Sequence, residues 1–179
     1  MALNAYMRLT GDTQGEIKGS VTQAGREDSI MVIAYNHEVE SARNASTGLA
    51  TGKRQHKPLT VTKEIDKSTP LLMTALTNNE NLREVVLQFW QPSRSGREFQ
   101  FYTIELTNAR IVDIHQEMLN NKYPENMQHM EREHISFVYQ EITWTFEDGG
   151  ITSSDNWDGN SIMPTKSSPT VKRKTRLKK

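Results

Sequence analysis

Between His56 and Leu76 the hydrophobic period of the chain changes from two to three-and-four across one turn, which requires a strand to run almost directly into a helix. Leu59, Val61, Lys63 and Ile65 fall on one face of the segment Lys57 to Ile65, the alternation of a half-buried strand. Thr69 is placed to act as N-cap and Pro70 as the first helical residue, where a missing N–H has no intrahelical partner to lose. Leu72, Ala75 and Leu76 then form an apolar stripe, and Asn78 and Asn79 tolerate the left-handed backbone at a helix end. By pattern alone this is a strand, turn and helix of any α+β domain.

Alternation predicts further strands at Leu3 to Leu9, Gly15 to Val21, Ser29 to Glu40, Glu84 to Trp90, Phe99 to Leu106, Arg110 to Gln116 and Arg132 to Phe146. With turn signals at Gly11-Asp12, Gly25, Ser95-Gly96 and Asn108, this succession predicts a mainly β fold, an antiparallel β-barrel of two packed sheets with one short flanking α-helix. In Ser29 to Glu40, the residues Met31, Ile33, Tyr35, His37 and Val39 make an expected core face, and Ala34, Asn36, Glu38 and Glu40 a polar face that meets water. The closing segment is apolar on both sides: Ile135, Phe137 and Tyr139 occupy one parity, Val138, Ile142, Trp144 and Phe146 the other. A central strand covered on both faces, a strand whose outer face meets a neighbouring subunit through Ile135, Phe137 and Tyr139, and a β-bulge near Gln140 all fit that pattern.

At 179 residues the prior is one domain, and the 35% apolar content leaves much surface for polar contact. The absence of cysteine excludes a disulfide framework, Cys-ligated zinc and a thiolate nucleophile. No basic region followed by an apolar stretch opens the chain, and no span approaches the roughly 20 apolar residues that cross a bilayer. The expectation is synthesis and folding in the cytoplasm, no Sec-type signal and no membrane insertion. Zero net charge conceals an asymmetry: seven basic and no acidic residues follow Ser161, so the remainder carries about −7. That gives two regions, a barrel domain over residues 1–150 and a polar, basic, disordered extension over 151–179.

Catalytic patterns are weak. His129 and His134 lie five apart, unlike a zincin or a strand-borne metal pair, and no G-x-S-x-G, P-loop or G-x-G-x-x-G occurs, so no catalytic, cofactor or metal residues are expected. The terminal KRKTRLKK could neutralise phosphates without reading sequence, so no specific nucleic-acid partner is expected. Two long connections remain, Ala42 to His56 and Glu117 to Met130, beyond the usual length of a structureless loop. The second is either a contact surface or a packed Ω-loop.

Three segments in order carry a resemblance: MALNAYMRLTGDTQGEIKGS, LTVTKEIDKSTPLL and REHISFVYQEITWTFEDGG are similar to the opening strands, strand–turn–helix and closing strand of the haemolysin-coregulated protein (Hcp) family of type VI secretion. The likeness runs from about Ala2 to Gly150. It implies no enzyme, but a β-barrel that assembles into a homo-oligomeric, hexameric ring, with rings stacked into a tube that a contractile sheath drives outward. It also implies the partners, namely a spike protein, the sheath and effectors carried in the lumen, and export by type VI secretion. On that likeness, Arg43, Asn44, Thr47, Gly48, Lys53 and Arg54 of the first long loop are expected to carry ring stacking. Asn36 and Glu38 are expected on the lumen face, with an ordinary solvent-facing strand equally consistent with the pattern. The alternative is a phage-tail-tube-like structural or adaptor protein with no secretion role.

Overall fold

The computed structural model describes residues 4–158. In chain order these form β1 (Ala5–Gly11), β2 (Gly15–Ile17), β3 (Ile30–Asn36), β4 (Val39–Arg43), β5 (Ala50–His56), β6 (Leu59–Glu64), α1 (Thr69–Thr77), β7 (Leu82–Pro92), β8 (Glu98–Glu117), β9 (Arg132–Val138), β10 (Glu141–Phe146) and β11 (Ile151–Asn156). The strands are antiparallel, and β8, β7, β1, β3, β6 and β9 close on themselves through the β8–β9 pairing to make a six-stranded barrel. Closure removes the open edges that a sheet of this size would otherwise present.

The expected strands at Phe99 to Leu106 and Arg110 to Gln116 are one 20-residue strand, β8. Asn108 sits between them with φ 49° and leaves the ladder intact, so a turn residue marks a bend and no loop. β10 and β9 lie end to end along one edge of β8, opposite residues 102–107 and 110–117. The continuous closing strand is therefore broken at Tyr139-Gln140, where the Gln140 N–H meets the carbonyls of Thr107 and Asn108 at 3.1 and 3.3 Å. This break switches parity and explains the two-sided apolarity without a partner. Ile135 and Phe137 are fully buried and Tyr139 nearly so, inside the barrel. As side chains of the monomer core, they are unavailable to a neighbouring subunit.

The core face of β3 also differs from expectation. Ile30 and Val32 are buried, whereas Ile33 and Tyr35 are 41% and 45% exposed. A register shift between Val32 and Ala34 places the extra residue, Ile33, outside the ladder. Period-2 reasoning fails here because both parities of β3 begin apolar. On β6 the expected face is correct for Leu59, Val61 and Lys63, all fully buried, while Ile65 lies beyond the strand and is exposed. Lys63 is tolerated because its ammonium donates to Glu133 Oε1 at 2.6 Å, the Glu64 carbonyl at 2.8 Å and Thr69 Oγ1 at 3.2 Å. Glu133 is equally buried, Thr69 and Gln116 donate to it, and Asp66 Oδ1 lies 3.0 Å from the same ammonium, so both buried charges are paired and hydrogen-bonded, the condition under which charges persist in a core.

Helix α1 begins one residue earlier than expected, with Ser68 at the N-cap. The capping work falls to Asp66, which accepts the Ser68 N–H at 2.9 Å, while Thr69 Oγ1 accepts the Asp66 N–H at 3.2 Å. Leu72 and Ala75 join the core, each large apolar side chain stabilising the fold by roughly 1.5–3 kcal/mol. The β1–β2 turn is held by Glu80, which accepts the N–H groups of Thr13 and Gln14 at 2.7 and 2.9 Å. A Cβ at Gly11 would lie 2.4 Å from that carboxylate and push it off these bonds.

β11 pairs with β10 along its whole length, so structure continues six residues past the expected boundary at Gly150. Its polar composition concealed it, since a strand on an outer edge needs no apolar face. The expected basic tail from Ser161 lies outside the described residues.

Candidate functional site: the assembly surfaces

The first long loop is a β-hairpin. β4 and β5 form their own two-stranded sheet, with Val39 opposite His56 and Arg43 opposite Ala50. Its tip is self-organised. Asn44 Oδ1 accepts the N–H groups of Ser46 and Thr47 at 2.9 and 3.0 Å, and the Gly48 N–H returns to the Asn44 carbonyl at 2.8 Å. Gly48 supplies the left-handed φ of 70° that closes the turn. The structure thus gives Asn44, Thr47 and Gly48 the task of shaping the tip, with Leu49 69% exposed beside them. Sequence reasoning missed β5 because ATGKRQH has no alternation; its signal was the Asn44-to-Gly48 turn chemistry.

The three expected cations divide. Arg43 is exposed and donates to the Gly48 carbonyl at 3.1 Å, and Lys53 is exposed. Arg54 points back to the barrel, its Nε and Nη2 engaging both carboxylate oxygens of Asp155 on β11. It is an anchor at the foot of the hairpin, whereas Arg43 and Lys53 are exposed.

That foot is a buried polar cluster. His56 Nε2 donates to Asp155 Oδ2 at 3.0 Å, since an ionised carboxylate only accepts. The Tyr139 hydroxyl lies 2.9 Å from His56 Nδ1 and 2.7 Å from His37 Nε2, bridging the two rings. The His56 and Trp157 rings stack at 5.8 Å, and Trp157 meets Tyr139 edge-on at 5.1 Å. Burial alone would raise the Asp155 carboxyl, but hydrogen bonds from Arg54 and His56 more than offset it and hold it below the usual carboxylate range. Burial, reinforced by the Asp155 charge, raises the Tyr139 phenol well above its ordinary value. Burial also holds His37 below 6.5, with the neighbouring His56 adding to the effect. A phenol so held is a poor nucleophile or base, and the chemistry of the cluster is that of a structural clamp.

A second surface follows from register, because directly opposed residues of antiparallel strands share a face. On the outer wall, Asn36, Thr60, Ser136 and Asp113 form one row, Ala34, Thr62, His134 and His115 the next, and Glu64, Arg132 and Glu117 a third. Thr60 bonds Ser136, and Thr62 bonds His134 Nδ1, each at 2.9 Å; the His115 and His134 rings stack at 6.1 Å. These three rows carry no large apolar side chain, while Val112 is exposed on β8 beside Asp113. Asn36 belongs to the first row, while exposed Glu38 lies beyond β3 in the link to the hairpin. Thr60, Thr62, His134 and His115 were missed as a surface because rows across strands are invisible in one strand's pattern. The second long connection, between β8 and β9, holds a 3₁₀ turn at Pro124–Asn126 and exposes Met118, Tyr123, Met127 and Met130.

The sequence model of the family described as type VI secretion system effector, Hcp, matches residues 6–146. The major exported protein of Pseudomonas aeruginosa is 42% identical over 166 residues, covering 88% of this chain and 96% of that protein. A crystal structure of an Hcp protein superposes with a TM-score of 0.81 at 31% identity, covering 86% of this chain and 97% of its own. The secreted protein Hcp3 from Pseudomonas aeruginosa gives 0.70 at 36% identity, covering 86% and 97%. With barrel, helix and hairpin in place and the match spanning most of its length, this chain belongs to the Hcp family and is a component of the type VI secretion tube.

Proposed function

We propose that the protein forms a hexameric ring whose copies stack into the tube through the β4–β5 hairpin, and that it is exported with the tube. The observation carrying this reading is the hairpin itself: a self-closed tip with Arg43, Lys53 and Leu49 exposed, standing on an anchored foot. The relative named as an exported protein supports export, and the structural character of the family supports a geometric role without catalysis. The comparisons do not favour a phage-tail-like adaptor outside secretion. The polar rows of Asn36, Thr60, Thr62, Ser136 and His134 suit a lumen that carries effectors, since they offer hydrogen bonds in place of large apolar side chains. Spike, sheath and effector partners follow from the family.

A closed ring needs two different, complementary patches on each copy. With Ile135, Phe137 and Tyr139 inside the core, the exposed apolar pairs take their place. Phe146 lies opposite Ile151 on β10–β11, 43% and 68% exposed, and Ile33 and Val39 are exposed on β3–β4. Negative-stain microscopy of a variant with Asn44 to Leu49 replaced by a two-residue turn tests the stacking reading: rings persist and tubes are lost. Tubes of undiminished length would place stacking elsewhere. Exposed ion pairs contribute only about 0–1 kcal/mol each, so stacking by the wild type weakens as salt is raised and depends on many copies acting together.

A further inference from the structure

We propose that Asp155 is a positioning residue for assembly: through Arg54 and His56, strand β11 sets the attitude in which the β4–β5 hairpin is presented. The stacking reading supplies the consequence, and the clamp itself is a statement about this chain alone.

The argument begins with connectivity. The hairpin is a sheet separate from the barrel, and a lone two-stranded hairpin is marginal in water. Its two strands run on from the paired barrel strands β3 and β6, with the Lys57 N–H on the Glu38 carbonyl at 2.9 Å, so beyond this narrow base its attitude is set by side chains. Arg54 and His56, both on β5, reach Asp155, and His56 also reaches Tyr139. The Asp155 carboxylate is saturated: Oδ2 receives Arg54 Nε and His56 Nε2, and Oδ1 receives Arg54 Nη2 and the Asn156 N–H. A planar fork meeting a carboxylate at two points fixes orientation as well as distance. Trp157, two residues on and just past the end of β11, stacks on His56. The His56 side chain is fully buried and that of Asp155 is 13% exposed, so water competes poorly for these bonds. β11 thus does what its sequence conceals, contributing little to the core while holding the hairpin by its foot.

Asp155→Asn tests this at constant shape, because the amide turns an NH2 toward donors that need an acceptor. Arg54→Met removes the other half of the clamp. Full-length protein is followed by hydrogen exchange and by negative-stain microscopy. The expected result in both variants is at least about tenfold faster exchange across β4 and β5, with β6, β7 and β9 unchanged, and loss of tubes from preparations that still contain rings. Asp155→Glu restores part of the protection. A loosened hairpin with undiminished tubes would support the clamp and overturn the stacking reading. Unchanged exchange across β4 and β5 in both variants would overturn the clamp, as would an equal loss of protection throughout the barrel.

Discussion

Single residues show where pattern and packing part company. Phe137 looked exposed to a partner because both parities of its segment are apolar, yet it is fully buried among barrel side chains. Phe137→Asp accordingly abolishes the cooperative unfolding transition followed by circular dichroism, instead of releasing folded monomers from a ring. Phe137→Ala costs about 3–5 kcal/mol. Lys63 was legible as a member of a buried face, but its partner Glu133, seventy residues away, was not, because an ion pair across strands leaves no local trace. His37 gives a pH dependence. Its folded-state pKa is depressed below 6.5 by burial, so the unfolded chain binds the extra proton first, and stability present at pH 7.5 falls as pH drops through 6.5 and below. The groups facing it and its neighbour His56 are Tyr139, Arg54 and Asp155; the carboxyl, held low, stays ionised across this window and does not share in the loss. Thermal melts at pH 7.5 and 5.5 show a smaller difference for His37→Gln than for the wild type.

At the scale of elements, most strands were legible and their connections less so. β6 and α1 were readable almost to the residue because apolar period, Pro70 and the Asn pair agree. The β4–β5 hairpin was read as a loop because neither strand buries a face: its residues are almost all exposed, and alternation appears only where one side meets a core. Turn chemistry specifies such an element, and it is there that it can be broken. Asn44→Ala removes the acceptor of the Ser46 and Thr47 N–H groups, and Gly48→Val forces a branched side chain into φ 70°. Each lowers exchange protection at the tip and the yield of tubes while leaving the melting temperature within about 2 °C of wild type, because the tip belongs to a separate two-stranded sheet that can open locally without unfolding the barrel.

For the whole molecule, the barrel class and family were legible from three ordered segments, whereas the surfaces that make a tube were not, since each is composed of residues from several strands. Phe146→Asp tests the reassigned ring contact: light scattering shows monomers, and circular dichroism shows an intact fold, because the side chain is exposed in the isolated chain. The barrel closes with strands that end at Val138, but the hairpin's foot requires Asp155 and Trp157. On a ribosome, where residues emerge in order, the cylinder can therefore form while the protruding arm is still unseated. On the proposed stacking, a copy lacking β11 would be folded yet not adhesive, so a strand made after the barrel's own would certify the subunit before it can polymerise.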